Sequence, residues 1–133
     1  VTAGGKNVYP SPLEEAVRSA GVVSQVVVVG DGRPFVGALV TLDPDGLAQW
    51  ADAAGIGKMS LILASTDERV RAEVQRAVDL ANESVSQAES IRKFTILDTE
   101  LTEESGHVTP SQKLQRKAVI QDFAGAIEEL YRR

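Results

Sequence analysis

Few side chains in this 133-residue sequence could carry chemistry. There is no cysteine, which excludes thiolate nucleophiles, thiolate-bound metals and disulfides. The single histidine, His107, has no second imidazole or thiolate to complete a metal site. Beside Gly106 in a polar stretch, it reads as an ordinary surface histidine. No G-x-S-x-G elbow presents a serine nucleophile. Gly4-Gly5-Lys6-Asn7 lacks both the G-x-x-x-x-G-K-[ST] spacing and the preceding apolar strand of a phosphate loop. What remains is the run Thr109-Pro110-Ser111-Gln112-Lys113-Leu114-Gln115-Arg116-Lys117. A lysine in a loop carries its charge on a long flexible stem and can reach into a neighbouring cleft. By residue type alone, a solvated surface lysine is the simpler reading of Lys113.

The elements that would position these residues follow from pattern. Residues 1 to 10 read as a loop, with Gly4-Gly5 permitting unusual backbone angles. Ser11 then suits a helix cap, Pro12 the first helical position, and Glu14 and Glu15 the positive helix end, with Gly21 as the stop. Val22 to Val29 is β-branched and nearly all apolar, a strand covered on both faces. A turn, Gly30-Asp31-Gly32-Arg33-Pro34, leads to a second strand, Phe35 to Leu42, and so short a link demands antiparallel pairing. Asp43-Pro44 opens a short helix carrying Leu47, Trp50 and Ala54 to about Gly55, with Trp50 in the core. Ser65-Thr66-Asp67-Glu68 resembles a capping box. Behind it Val70, Val74, Ala77, Val78, Ala81 and Val85 trace an amphipathic helix of about twenty residues. Ile91 to Leu97 forms a strand, with Ile91, Lys93, Thr95 and Leu97 on one face and Arg92, Phe94 and Ile96 on the other. After an acidic turn, Val119, Phe123, Ile127 and Leu130 mark one terminal helix. The order αββααβα predicts an α+β domain, a small mostly antiparallel sheet flanked by helices.

Charge narrows the partners. A net charge of -5 disfavours nucleic acid, and the acidic residues of 98–104 and basic residues of 113–117 read as solvated patches. No apolar run approaches the roughly 18 residues of a membrane span. With 43% hydrophobic and 25% charged residues, the composition is that of a soluble globular domain, and the length suits one. The sequence opens at Val1-Thr2-Ala3-Gly4-Gly5 with neither an initiator methionine nor a signal segment, and is read as a fragment.

Two segments at opposite ends of the chain give a resemblance. Thr2-Ala3-Gly4-Gly5-Lys6-Asn7-Val8-Tyr9-Pro10, with Pro12-Leu13-Glu14, resembles the glycine-bearing motif just after the interdomain hinge of the adenylate-forming superfamily. That superfamily holds acyl-CoA synthetases, peptide-synthetase adenylation domains and luciferases. Leu101-Thr102, then Gly106-His107-Val108-Thr109-Pro110-Ser111-Gln112-Lys113-Leu114-Gln115-Arg116, is similar to its long-chain fatty-acid branch, as is Ile127-Glu128-Glu129-Leu130-Tyr131.

The resemblance implies that 1–133 is a single C-terminal lid domain, with the large N-terminal adenylation domain absent from this chain. It implies a fatty-acid–CoA ligase working in two half-reactions. A fatty-acid carboxylate attacks the α-phosphate of ATP, giving acyl-adenylate and pyrophosphate, and coenzyme A then displaces AMP. The lid alternates between two poses. Lys113 matches the catalytic lysine of the first; Gly4, Gly5 and Lys6 match the coenzyme A-side loop of the second, although Lys6 reads equally as a surface lysine. ATP, Mg2+ and coenzyme A would all require the N-terminal domain, so the isolated domain is expected to be inactive. Many relatives carry glycine before the lysine where this chain has Gln112. A cytoplasmic enzyme is implied, with peripheral membrane attachment of the full-length protein left open. The alternatives are a stand-alone α+β ligand-binding or regulatory module, and the lid of a fatty-acyl-AMP ligase that loads a carrier protein.

Overall fold

A computed structural model describes residues 10–30, 32–111 and 113–132. The first helix, α1 (Pro10–Arg18), starts earlier than expected, so Ser11 lies inside its first turn, and it ends before Gly21. Strands β1 (Val23–Val29) and β2 (Val36–Leu42) pair antiparallel, as the short turn between them requires. Gly32 sits in that turn at φ +70°, a conformation that favours glycine. Then come α2 (Pro44–Ala53), α3 (Leu61–Ser65) and α4 (Glu68–Asn82), a single 3-10 turn at Gln87–Glu89, and strand β3 (Ile91–Ile96). The α2–α4 excursion is long enough for a crossover, and β3 joins β2 in parallel. The three-stranded sheet, in the order β1-β2-β3, is therefore mixed, and the domain is α+β. The chain closes with α5 (Arg116–Asp122) and α6 (Ala124–Tyr131).

Local chemistry explains most boundaries. Asp43 caps α2 by accepting from the Asp45 amide, with Pro44 in the first position. At α4 the cap is Asp67, which accepts from the Arg69 and Val70 amides; Ser65 instead ends α3, its hydroxyl donating to the Ile62 carbonyl. The expected capping box is therefore displaced. α4 runs for 15 residues rather than about twenty, and Val85 packs against the core from beyond its end.

β2 is buried along its whole length, so the sheet divides the interior in two. On one face, α1 and α4 cover Val26, Val28, Val36, Ala38, Val40 and Leu42; Trp50, expected in the core, is half-buried and packs against its margin. On the other, Val27, Val29 and Leu39 meet Leu97, Leu101, Val119, Ile127 and Leu130. Strict alternation in β3 would have put Ile91 opposite Phe94 and Ile96. It joins them on the larger cluster because the register shifts at Arg92, between the Val36–Ile91 and Gly37–Lys93 pairs. The terminal apolar stripe holds, but as two helices. Phe123 leaves helical geometry at φ -110° and ψ 26°, and its ring packs on His107.

Candidate functional site

Lys113 lies at the head of a short hairpin that precedes α5. Val108 and Leu114 form an antiparallel bridge, and the Gln115 amide donates to the His107 carbonyl at 2.7 Å. Both backbone groups of Lys113 are held by one residue. Its carbonyl accepts from the Thr109 amide at 2.8 Å, and its amide donates to Thr109 Oγ1 at 3.0 Å. The Thr109 and Ser111 hydroxyls also share a hydrogen bond of 3.0 Å. The side chain of Lys113 is exposed, and among the described residues its ammonium has no hydrogen-bond or ion-pair partner. A fixed backbone thus carries an exposed cation.

Two anchors fix the base of the hairpin. One is His107, which is buried and not the surface histidine its polar neighbours suggest. Its Nδ1 lies 2.7 Å from Ser105 Oγ and its Nε2 lies 2.7 Å from the Asp122 carboxylate, so the ring ties the preceding turn to α5. Ser105 is itself wrapped by Thr102, through that residue's amide, hydroxyl and carbonyl. Sequence reading missed the burial because Asp122 and Phe123 lie a full helix away along the chain.

The second anchor is an ion pair between the first and last parts of the chain. Arg116, the first residue of α5, donates from its two terminal nitrogens to the two oxygens of Glu14 at 2.5 and 2.6 Å, a bidentate pair. These bonds push the arginine pKa still higher, against desolvation, which lowers it. Glu14 is buried on α1 and also accepts from the Val28 amide at 2.7 Å, while Arg116 donates to the Val28 carbonyl at 3.3 Å. Val28 belongs to β1, the edge strand, and both its outward backbone groups are taken by this pair. Since α1 packs on one face of the sheet and α5 on the other, the pair clips the two faces together around the open edge. In sequence, Glu14 reads only as an acid near a helix start and Arg116 only as part of a basic run. Nothing in their spacing couples them.

Of the residues expected to carry function, Lys113 is placed as described. Gly4, Gly5 and Lys6 lie outside the described residues, in the segment that leads into the helix bearing Glu14.

The geometry has a family. The profile of the AMP-binding enzyme C-terminal domain matches residues 1–133. The chain belongs to that family.

A long-chain-fatty-acid–CoA ligase of Mycobacterium tuberculosis, FadD15, is 46% identical over 98% of this chain and 22% of its own length. A long-chain-fatty-acid–CoA ligase of Gallus gallus, ACSBG2, is 34% identical over 98% of the chain and 20% of its own. The chain thus spans about a fifth of the curated relatives it matches. Among solved structures, the adenylation–carrier didomain of carboxylic acid reductase from Segniliparus rugosus, in complex with AMP, superposes with a TM-score of 0.73. That match has 24% identity and covers 98% of this chain and 17% of the other. A fatty acyl CoA synthetase of Mycobacterium tuberculosis gives 0.55 at 15% identity, covering 95% and 20%. These likenesses show the fold, an α+β domain, and no more.

Proposed function

We propose that this AMP-binding enzyme C-terminal domain is the mobile lid of an ATP-dependent long-chain fatty-acid–CoA ligase, and that Lys113 is the cation it delivers to the adenylation step. The observation that carries the proposal is the exposed Lys113, without a partner among the described residues, on a backbone locked by Thr109. The 46% identity to a ligase of that class across nearly the whole chain supports it.

The chemistry asks for such a group. A carboxylate must approach an α-phosphate that is itself anionic, and negative charge builds on the phosphate oxygens as the pentavalent arrangement forms. An ammonium already fixed at that point stabilises the charge without reorganisation. No proton need leave it. An arginine would bring charge but with bulk and a rigid planar fork, so Lys113→Arg should not rescue fully. Between half-reactions the lid would swing, closing the site in each pose. The thioester pose would use the Gly4-Gly5 segment, where absent side chains leave room for a pantetheine arm, with Lys6 near the nucleotide of coenzyme A.

An N-terminal adenylation domain would supply the sites for ATP and the fatty acid. Among the described residues no group of three or more histidine, cysteine or acidic side chains could hold a metal, and no step here passes through Mg2+. None of the described helices is long and apolar enough to cross a membrane. A cytoplasmic enzyme, with any membrane attachment peripheral, belongs to the same proposal, as does the inactivity of the isolated lid.

The test is Lys113→Ala in the full-length enzyme, following pyrophosphate release from ATP and fatty acid, and separately thioester formation from preformed acyl-adenylate and coenzyme A. Loss of only the first, by about two decades or more, is expected for a group acting in that transition state alone. Unchanged pyrophosphate release would refute the role of Lys113. A second reading, favoured by the superposition on the carboxylic acid reductase didomain, keeps the lid and replaces coenzyme A by a carrier-bound phosphopantetheine. Offering both acceptors to the preformed adenylate distinguishes the two.

A further inference from the structure

We infer that Glu14 and Arg116 are positioning residues for Lys113, setting where the lysine arrives during adenylation; this rests on the role proposed for Lys113 above. The lysine stands three residues before Arg116, between two fixed points: the Thr109 hydrogen bonds on its own backbone and the bidentate pair at the start of α5. No side chain within the described residues steers the ammonium itself, so its reach is decided by the hairpin from which it projects. On one side that hairpin is tied to α5 by His107 and Asp122. On the other, Leu114 packs against the cluster beneath the sheet, and Arg116 adds a polar tie to the sheet and to α1, through Glu14 and Val28. The guanidinium donates to three acceptors on two elements at once, and its side chain is 35% exposed against 9% for Glu14. An ammonium at that position cannot span the same fork. Loosening the clip lets α5 and the hairpin shift against the sheet. An error of about 1 Å at a reacting centre can cost on the order of a hundredfold in rate.

The experiment uses the full-length ligase bearing this domain, as wild type, Lys113→Ala, Arg116→Lys and the double variant. The adenylation kcat and KM come from pyrophosphate release, and the second half-reaction from preformed acyl-adenylate. Arg116→Lys should lower the adenylation kcat about tenfold or more, leave KM for ATP and fatty acid unchanged, and leave thioester formation intact. In the Lys113→Ala background the same change should do nothing further, because a positioning residue has no effect once the group it positions is gone. An equal loss in both backgrounds, or in both half-reactions, would show a merely structural pair and overturn the inference while leaving the role of Lys113 standing. Normal adenylation by Lys113→Ala alone would instead overturn the reading on which the inference rests, and both would fall. Should Arg116→Lys misfold, Glu14→Gln with Arg116→Met leaves no lone buried charge and carries the same four-way comparison.

Discussion

Gly46 offers a sharp test of the packing, because two ordinary effects there have opposite signs. It lies in the first turn of α2, where replacing glycine by alanine normally stabilises a helix by about 1 kcal/mol. Here a Cβ would stand 1.8 Å from the Gly21 carbonyl oxygen and 2.8 Å from its carbon. Contacts below 3.0 Å do not occur, so one backbone must retreat by more than 1 Å. Neither is free to do so, because the Asp43 amide at the cap of α2 donates to the Val22 carbonyl at 2.9 Å, beside Gly21. Overpacking of this kind costs about 1–3 kcal/mol, and losing that hydrogen bond about 1 more. The clash wins. After the propensity gain, Gly46→Ala should destabilise the 133-residue chain by about 2 kcal/mol, lowering its Tm by about 8 °C at about 4 °C per kcal/mol. Gly125→Ala is the control. It also lies in a helix, nothing stands within 4 Å of the point a Cβ would occupy, and it should raise Tm by a few degrees. Thermal unfolding of both variants measures the pair. If Gly46→Ala matches or exceeds wild type, the close approach of α2 to the Gly21 turn is wrong.

Asp67, the cap of α4, has its carboxyl held down at about 2, first by the Arg69 side chain and then by the Arg69 and Val70 amides, against a usual value of 3.8. Its stabilising contribution is complete above the usual value and is lost as pH falls through about 2; Asp67→Asn should flatten that part of a urea-midpoint-against-pH curve. Tyr131 donates to the Phe35 carbonyl at 2.7 Å, and burial raises its phenol above the usual 10. Stability from this group is present below pH 10 and falls as pH rises beyond it, because the unfolded chain ionises first. Tyr131→Phe should cost about 1 kcal/mol in denaturant titration at neutral pH and remove this alkaline decline.

The fold was legible where local chemistry decides it. The valine-rich β1, the short turn forcing antiparallel β2, the Asp43-Pro44 start of α2 and the 70-74-77-78-81 stripe of α4 all follow from period and capping. What escaped was set by contacts between distant segments. Alternation placed Ile91 on the wrong face because the bulge at Arg92 answers to pairing with β2. Evenly spaced Val119, Phe123, Ile127 and Leu130 gave no sign of the break at Phe123, where the ring meets His107. Likewise, Lys113 is singled out by the resemblance of its motif and not by residue type, whereas the Glu14–Arg116 pair joins residues 102 positions apart. A charge in a sequence has no visible partner until the chain has folded.

The clip also bears on how the domain survives in a crowded solution. Val26-Val27-Val28-Val29 is a β-branched, uncharged run on a sheet edge, the kind of segment that recruits further strands and seeds aggregates. A carboxylate that takes the Val28 amide and a guanidinium that reaches its carbonyl fill the places an incoming strand would need, and bring charges that a second backbone could not bury. The contact that steadies the hairpin of Lys113 thereby protects the most aggregation-prone edge of the sheet.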